Sequence, residues 1–192
     1  HAEWFAKLQS KGAEAWREIA YWVCTFSINQ WDISTEVGGG NVEDSSFYKA
    51  LTDASCRGTA MVLDNKAEPL RRSWCLFELF LTAKREKTPS FLGLVLCSGT
   101  GVLQEGTCSM DVVVRIGQAV DDLDLQEASA SCRQDKEDID NMVRGEDGSF
   151  DEINGYIKKQ VGDCLRIAFD AFESQAKELI HHLQRGEVRR ST

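Results

Sequence analysis

The amino-acid sequence predicts an α/β domain, a central parallel sheet flanked by helices, followed by a helical C-terminal extension. Three observations carry this. In the first 130 residues, short β-branched and aromatic runs alternate with segments of helical periodicity, the pattern of βαβ units and a sheet covered on both faces. From Phe150 onward one apolar stripe recurs every three or four residues for about 35 residues. The chain has 192 residues, 42% of them apolar and 28% charged, which is enough for one full core.

The elements follow in order. Trp4, Phe5, Leu8, Gly12, Trp16 and Ile19 fall at helical spacing, so residues 3–19 are expected to be helical. Tyr21 to Ile28 is aromatic and β-branched and reads as a first buried strand. A loop with Gly38-Gly39-Gly40 follows, and Asp44, Ser45 and Ser46 offer N-caps to a helix carrying Phe47, Ala50 and Leu51. Gly58 to Asp64 is a second strand, and a helix is expected from about Leu70 to Arg85, just after Pro69. Phe91 to Cys97 is a third strand, closed by Ser98-Gly99-Thr100-Gly101. Val112 to Val120 fits helix or strand equally, because periodicity does not separate the two there. Asp135 to Val143 is helical, and Ser149 with Glu152 makes a capping box. From Phe150 the set Ile153, Ile157, Val161, Leu165, Phe169, Phe172, Ala176, Leu179 and Leu183 would span roughly 52 Å as one helix, unless Gly155 and Gly162 break it. The division expected is a lead-in over 1–20, an α/β domain over 21–130 and a helical extension over 131–192.

Composition excludes several classes of function. The net charge is −9, and residues 121–152 hold 12 acidic against 3 basic residues, so that stretch alone accounts for it. An acidic solvated face is expected, with no nucleic-acid partner, since phosphate neutralisation needs basic residues. No apolar run is long enough to span a membrane. The seven cysteines lack C-x-x-C or zinc spacing, and Cys24 and Cys97 sit in strand-like runs. An odd count and no N-glycosylation sequon favour reduced thiols and a cytoplasmic setting. The first residue is His1, as expected of a segment of a longer protein. No metal site is expected, because Asp122, Asp124 and Glu127 lack the glycine and spacing of a calcium loop. Histidines occur only at 1, 181 and 182, which disfavours a Cys75–His dyad.

One segment carries chemistry. Ser73-Trp74-Cys75-Leu76-Phe77-Glu78-Leu79 resembles the S-x-W-C-L-x-E-L motif of plant-type Toll/interleukin-1-receptor (TIR) domains, with one residue fewer between serine and tryptophan. Tyr21 to Asp32 is similar, through its Ile28-Asn29-Gln30 end, to the W-I-D-x-x-C-I-N-Q segment of fungal heterokaryon-incompatibility domains, which are TIR-like in fold. The plant stretch S-F-R-G-E-D is replaced by Phe26-Ser27-Ile28-Asn29-Gln30-Trp31, and the region before Gly58 has room for one helix rather than two helices and a strand. The resemblances together cover about residues 21–98. They imply a TIR-like, flavodoxin-like fold and cleavage of NAD as substrate, with no bound cofactor and with the motif glutamate, here Glu78, as the catalytic residue.

That chemistry stands on its own terms. Splitting the N-glycosidic bond of NAD passes through an oxocarbenium-like sugar, and nicotinamide leaves as a neutral molecule, so one carboxylate near the ribose suffices. Glu78 lies four residues after Trp74, on the same helical face. Asn29, Gln30 and Trp31 are expected as pocket wall, and Gly38, Gly39 and Gly40 as a turn that lets backbone N–H groups approach a pyrophosphate. Trp74 is expected to support Glu78 at the nucleotide site. The alternatives from other classes are a non-catalytic TIR-like module that associates with itself or a protein partner, and a structural segment of a larger assembly that docks through its long helix.

Overall fold

The computed structural model describes residues 19–23, 27, 29, 31–39, 41–145 and 149–188. Its elements are α1 (Ile33–Glu36), α2 (Ser46–Thr52), β1 (Thr59–Leu63), α3 (Ser73–Arg85), β2 (Leu94–Ser98), β3 (Gly101–Val102), α4 (Met110–Asp121), α5 (Arg133–Gly145) and α6 (Phe150–Val188). The architecture is mixed α/β with a small sheet of order β1-β2-β3. β1 and β2 are parallel in the register Thr59↔Leu94 to Leu63↔Ser98, joined by α3 as the crossover. β3 folds back antiparallel on β2, pairing Ser98 with Gly101.

The pleat sorts the two faces. Met61 and Leu63 alternate with Ala60 and Val62, and the first pair is buried with Leu94 and Leu96 on the side that meets α3. Thr59 and Thr82 mark that contact: their hydroxyls lie 2.6 Å apart, and because Thr82 donates to the Glu78 carbonyl at 2.7 Å, Thr59 is the donor between them. On the opposite face Val62 is 65% exposed. The sheet is therefore covered on one side along β1, and it is mixed rather than wholly parallel, which corrects two features of the expected sheet.

Local chemistry sets the helix boundaries. Ser45 caps α2, its hydroxyl accepting from the Tyr48 N–H at 3.1 Å. Pro69 sits in the 3-10 turn Glu68–Arg71, where its missing N–H costs nothing, and α3 starts two residues later. The Arg85 guanidinium at the other end of α3 donates to the carbonyls of Leu51, Asp53 and Cys56, tying the end of α2 to α3. Val112 to Val120 is helical within α4, since Val113, Ile116 and Val120 are its buried positions at three- and four-residue steps. Ser149 and Glu152 bond reciprocally at 3.1 and 3.3 Å, the expected capping box of α6.

The core is one cluster. It runs from Phe47 and Leu51 through β1, α3 and β2 into α4, α5 and the first half of α6, where Phe150, Ile153, Ile157, Val161, Cys164 and Ala168 are buried. α6 continues unbroken through Gly155 and Gly162, which face open space. From Phe169 onward its large apolar side chains are exposed.

The described part of the expected first strand is not a strand. Tyr21, Trp22 and Val23 are exposed and lie outside the sheet. The Ser27 N–H donates to the Val23 carbonyl at 2.8 Å and the Ser27 hydroxyl accepts from the Val23 N–H at 3.0 Å. A local turn thus satisfies backbone groups that a strand would pair across the sheet. The expected helix over 3–19 falls on residues 1–18 almost entirely, outside the described residues, as does Cys24.

Candidate functional site

The two segments that carry the resemblances meet across one aromatic ring. Trp22 packs edge-on against Phe47 at 5.2 Å, and Phe47 stacks on Trp74 at 4.9 Å. Phe77 closes the cluster, edge-on to Trp74 at 5.9 Å and stacked with Tyr48 at 6.3 Å. The Trp74 indole N–H donates to Asp135 of α5 at 3.0 Å. Trp74 is therefore held on its ring and on its nitrogen, and it fixes the first turn of α3 between α2 and α5.

The loop preceding α2 is tied to the same region. The Asn29 N–H donates to the Glu36 carboxylate at 3.1 Å, and the Asn29 side chain accepts from the Trp31 N–H at 3.0 Å. The other Glu36 oxygen accepts from the Ser46 hydroxyl at the start of α2. Trp31 projects from this loop, 98% exposed. Gly38 and Gly39 have φ of +97° and +57°, and a Cβ on Gly38 would meet the Asn41 carbonyl oxygen at 1.9 Å, so glycine is required there by the turn itself. Gln30 and Gly40 lie outside the described residues.

Glu78 stands one turn beyond Trp74 on α3. It is partly buried, and no described side chain hydrogen-bonds or pairs with its carboxylate. Burial raises its carboxyl to about 7, against which Arg72, at the head of the helix, pulls it down. Ser73, also in the motif, is fully buried, and its hydroxyl has no hydrogen-bond partner among the described residues. Its backbone is fixed instead: the Ser73 N–H donates to the Ser129 carbonyl at 2.9 Å, and the Ser129 N–H to the Arg71 carbonyl at 2.8 Å.

Two of the thiols are held back from ionising. No disulfide forms among the six described cysteines, and burial pushes the thiols of Cys97 and Cys164 up, Cys164 to about 11. The acidic stretch is spent on structure. Asp124 accepts from the Gln126 N–H and from Asn154, and Asp140 is buried between Lys136 at 3.0 Å and Arg144 at 3.8 Å. Among the described residues no group of three or more His, Cys, Asp or Glu is arranged to hold a metal, and no helix is long and apolar enough to cross a membrane.

Three of these features lie beyond sequence reasoning: Asp135 as the partner of Trp74, Phe47 as the bridge between Trp22 and Trp74, and Arg72 as the charge nearest in effect to Glu78. A heptapeptide names the helix but not what surrounds it. Compared with family models, with curated proteins and with solved structures, the chain matches none.

Proposed function

We propose that the chain cleaves the N-glycosidic bond of NAD on a TIR-like fold, releasing nicotinamide and leaving ADP-ribose or a cyclised form, with Glu78 as the catalytic carboxylate. The observation that carries the reading is Glu78 itself, a partly buried carboxyl with no hydrogen-bond or salt-bridge partner among the described residues, within an intact Trp-Cys-Leu-x-Glu-Leu motif. An unpaired carboxylate in such surroundings costs stability, and a substrate that brings positive charge to it offsets that cost. NAD does so twice: its nicotinamide ring is cationic, and the ribose gains positive charge as the bond breaks. Ionised Glu78 beside the ribose would stabilise that charge, and water or a second nucleophile would then capture the sugar.

Asn29, Trp31 and the turn at Gly38 and Gly39 supply the pocket wall in this reading, with the exposed Trp31 ring available to stack on a ring of the dinucleotide. Trp74 acts as a positioning residue, through the packing that orients α3. A cytoplasmic setting accompanies the reading, supported by six unbridged cysteines.

Incubation with NAD, with nicotinamide and ADP-ribose resolved by chromatography, tests it. Glu78→Gln is expected to keep the fold and lose more than about 100-fold in turnover, on the scale of one preorganised electrostatic contact. The free enzyme's kcat/KM is expected to rise with pH through an inflection near 7, as Glu78 ionises. Wild-type protein that releases no nicotinamide above a blank would leave the non-catalytic interaction module or the structural segment as the function.

A further inference from the structure

α6 is far longer than the body it packs on. Residues Phe150 to Ala168 bury one face against α4 and the 3-10 turn Leu103–Glu105, and helix continues for 20 more residues, about 30 Å, of which 169–184 contribute no side chain to the core. Yet this second half is not polar all round. Phe169, Phe172, Leu179, Ile180 and Leu183 are between 53% and 62% exposed and share one side of the helix.

The apolar positions continue where the helix leaves the body. The buried set at 150, 153, 157, 161, 164 and 168 covers 18 residues in five steps, or 3.6 residues per step, the period of a straight helix lying on a core. Beyond it Phe169, Phe172, Leu179 and Leu183, with half-buried Ala176 between them, continue in steps of 3 and 4, so one stripe of the free helix stays apolar.

We propose that residues 172–183 of α6 pair with the same segment of a second copy of this chain, running antiparallel. Phe172 lies opposite Leu183 of the second copy, and Ala176 opposite Leu179 of the second copy, so the small side chain at the middle receives a large one and the axes approach closely. Phe172, Leu179, Ile180 and Leu183, each about half exposed, remove roughly 400 Å² per copy, about 800 Å² between two, the size of a weak and reversible contact. The flank is neutral, since Glu173 is paired within its own helix to Lys177 at 3.0 Å. The direction follows from charge. Residues 121–152 carry all of the chain's net charge of −9, and an antiparallel pair holds the two acidic bodies at opposite ends of the seam, where a parallel pair would set them side by side.

Sedimentation velocity of the full chain from about 1 to 200 µM tests the pairing. The weight-average mass is expected to climb from 21.5 kDa toward twice that value, with a midpoint in the micromolar range. The double variant Phe172→Glu, Leu183→Glu is expected to stay at 21.5 kDa throughout with an unchanged near-ultraviolet spectrum, since both positions are exposed in the single chain. A wild-type monomer at 200 µM, or a double variant that still dimerises, overturns the pairing. Small-angle scattering of the dimer is expected to give two separated maxima in the distance distribution, and a single compact maximum overturns the antiparallel direction.

Discussion

Glu78 shows how one residue links stability to chemistry. Its carboxyl is raised from the ordinary 4.5 to about 7 by burial, so between those two values the folded chain binds a proton that the unfolded chain has lost. Stability attributable to the protonated group is therefore complete below pH 4.5 and disappears as pH rises through 7. Integrating the shift gives a cost of about 3 kcal/mol at pH 8 and less than about 1 kcal/mol at pH 5. Gln cannot ionise, so Glu78→Gln is expected to stabilise the chain by about 3 kcal/mol at pH 8 and by under about 1 kcal/mol at pH 5. Urea unfolding at the two pH values measures this, and an equal effect at both would show that the glutamate is ionised throughout. Arg72 opposes the rise, so its removal moves the inflection further up. The identity of this residue was legible from the motif. Its lack of a hydrogen-bond or salt-bridge partner among the described residues was not, because pairing depends on which side chains α3 meets in the folded chain.

Elements show the same division between what is local and what is tertiary. The caps at Ser45 and at Ser149 with Glu152, the strands near 59–63 and 94–98, and the helix after Pro69 all form where local patterns place them. The cap signals are satisfied by neighbours within a few residues, and the two strands, marked by local composition, then pair with each other. Tyr21 to Val23 has the same β-branched and aromatic composition, but Trp22 finds Phe47 and Val23 bonds to Ser27, so composition is outweighed by one ring contact and one hydroxyl. Val112 to Val120, undecided by pattern, becomes a helix because its buried positions step by three and four against α6. Trp74 belongs to this scale, since its ring and nitrogen join three helices. Trp74→Phe keeps the stacking on Phe47 but strips Asp135 of its donor, for an expected loss of about 1–2 kcal/mol. Trp74→Ala removes the ring as well, for about 3 kcal/mol or more. Nicotinamide release by the Phe variant is expected to stay within a few-fold of wild type. A Phe variant that loses turnover as fully as Glu78→Gln would place the indole in contact with substrate.

At the scale of the whole molecule, the sheet among the described residues is smaller than the expected one and mixed rather than parallel. It has three strands, Val62 on its outer side stays exposed, and α3, α4, α5 and α6 share one core with β1 and β2. The stripe along α6 was legible as one run, but a list of apolar positions does not say where a body ends. That end lies at Ala168, the last core residue on the helix. It follows that the tail and the fold are separable. A chain stopped after Ser174 keeps every core residue and the approach of Ile167 and Ala171 to Gly106, and it loses Ala176, Leu179, Ile180 and Leu183. At about 1 µM, where the full chain is expected to be monomeric, its unfolding free energy is expected to match the full chain within about 0.5 kcal/mol, as for changes away from a core. At 200 µM the full chain is expected to gain stability with concentration while the shortened one does not, because only the former is linked to association. A shortened chain less stable by about 2 kcal/mol at 1 µM would instead show that the tail folds back onto its own body, and the seam would then be internal.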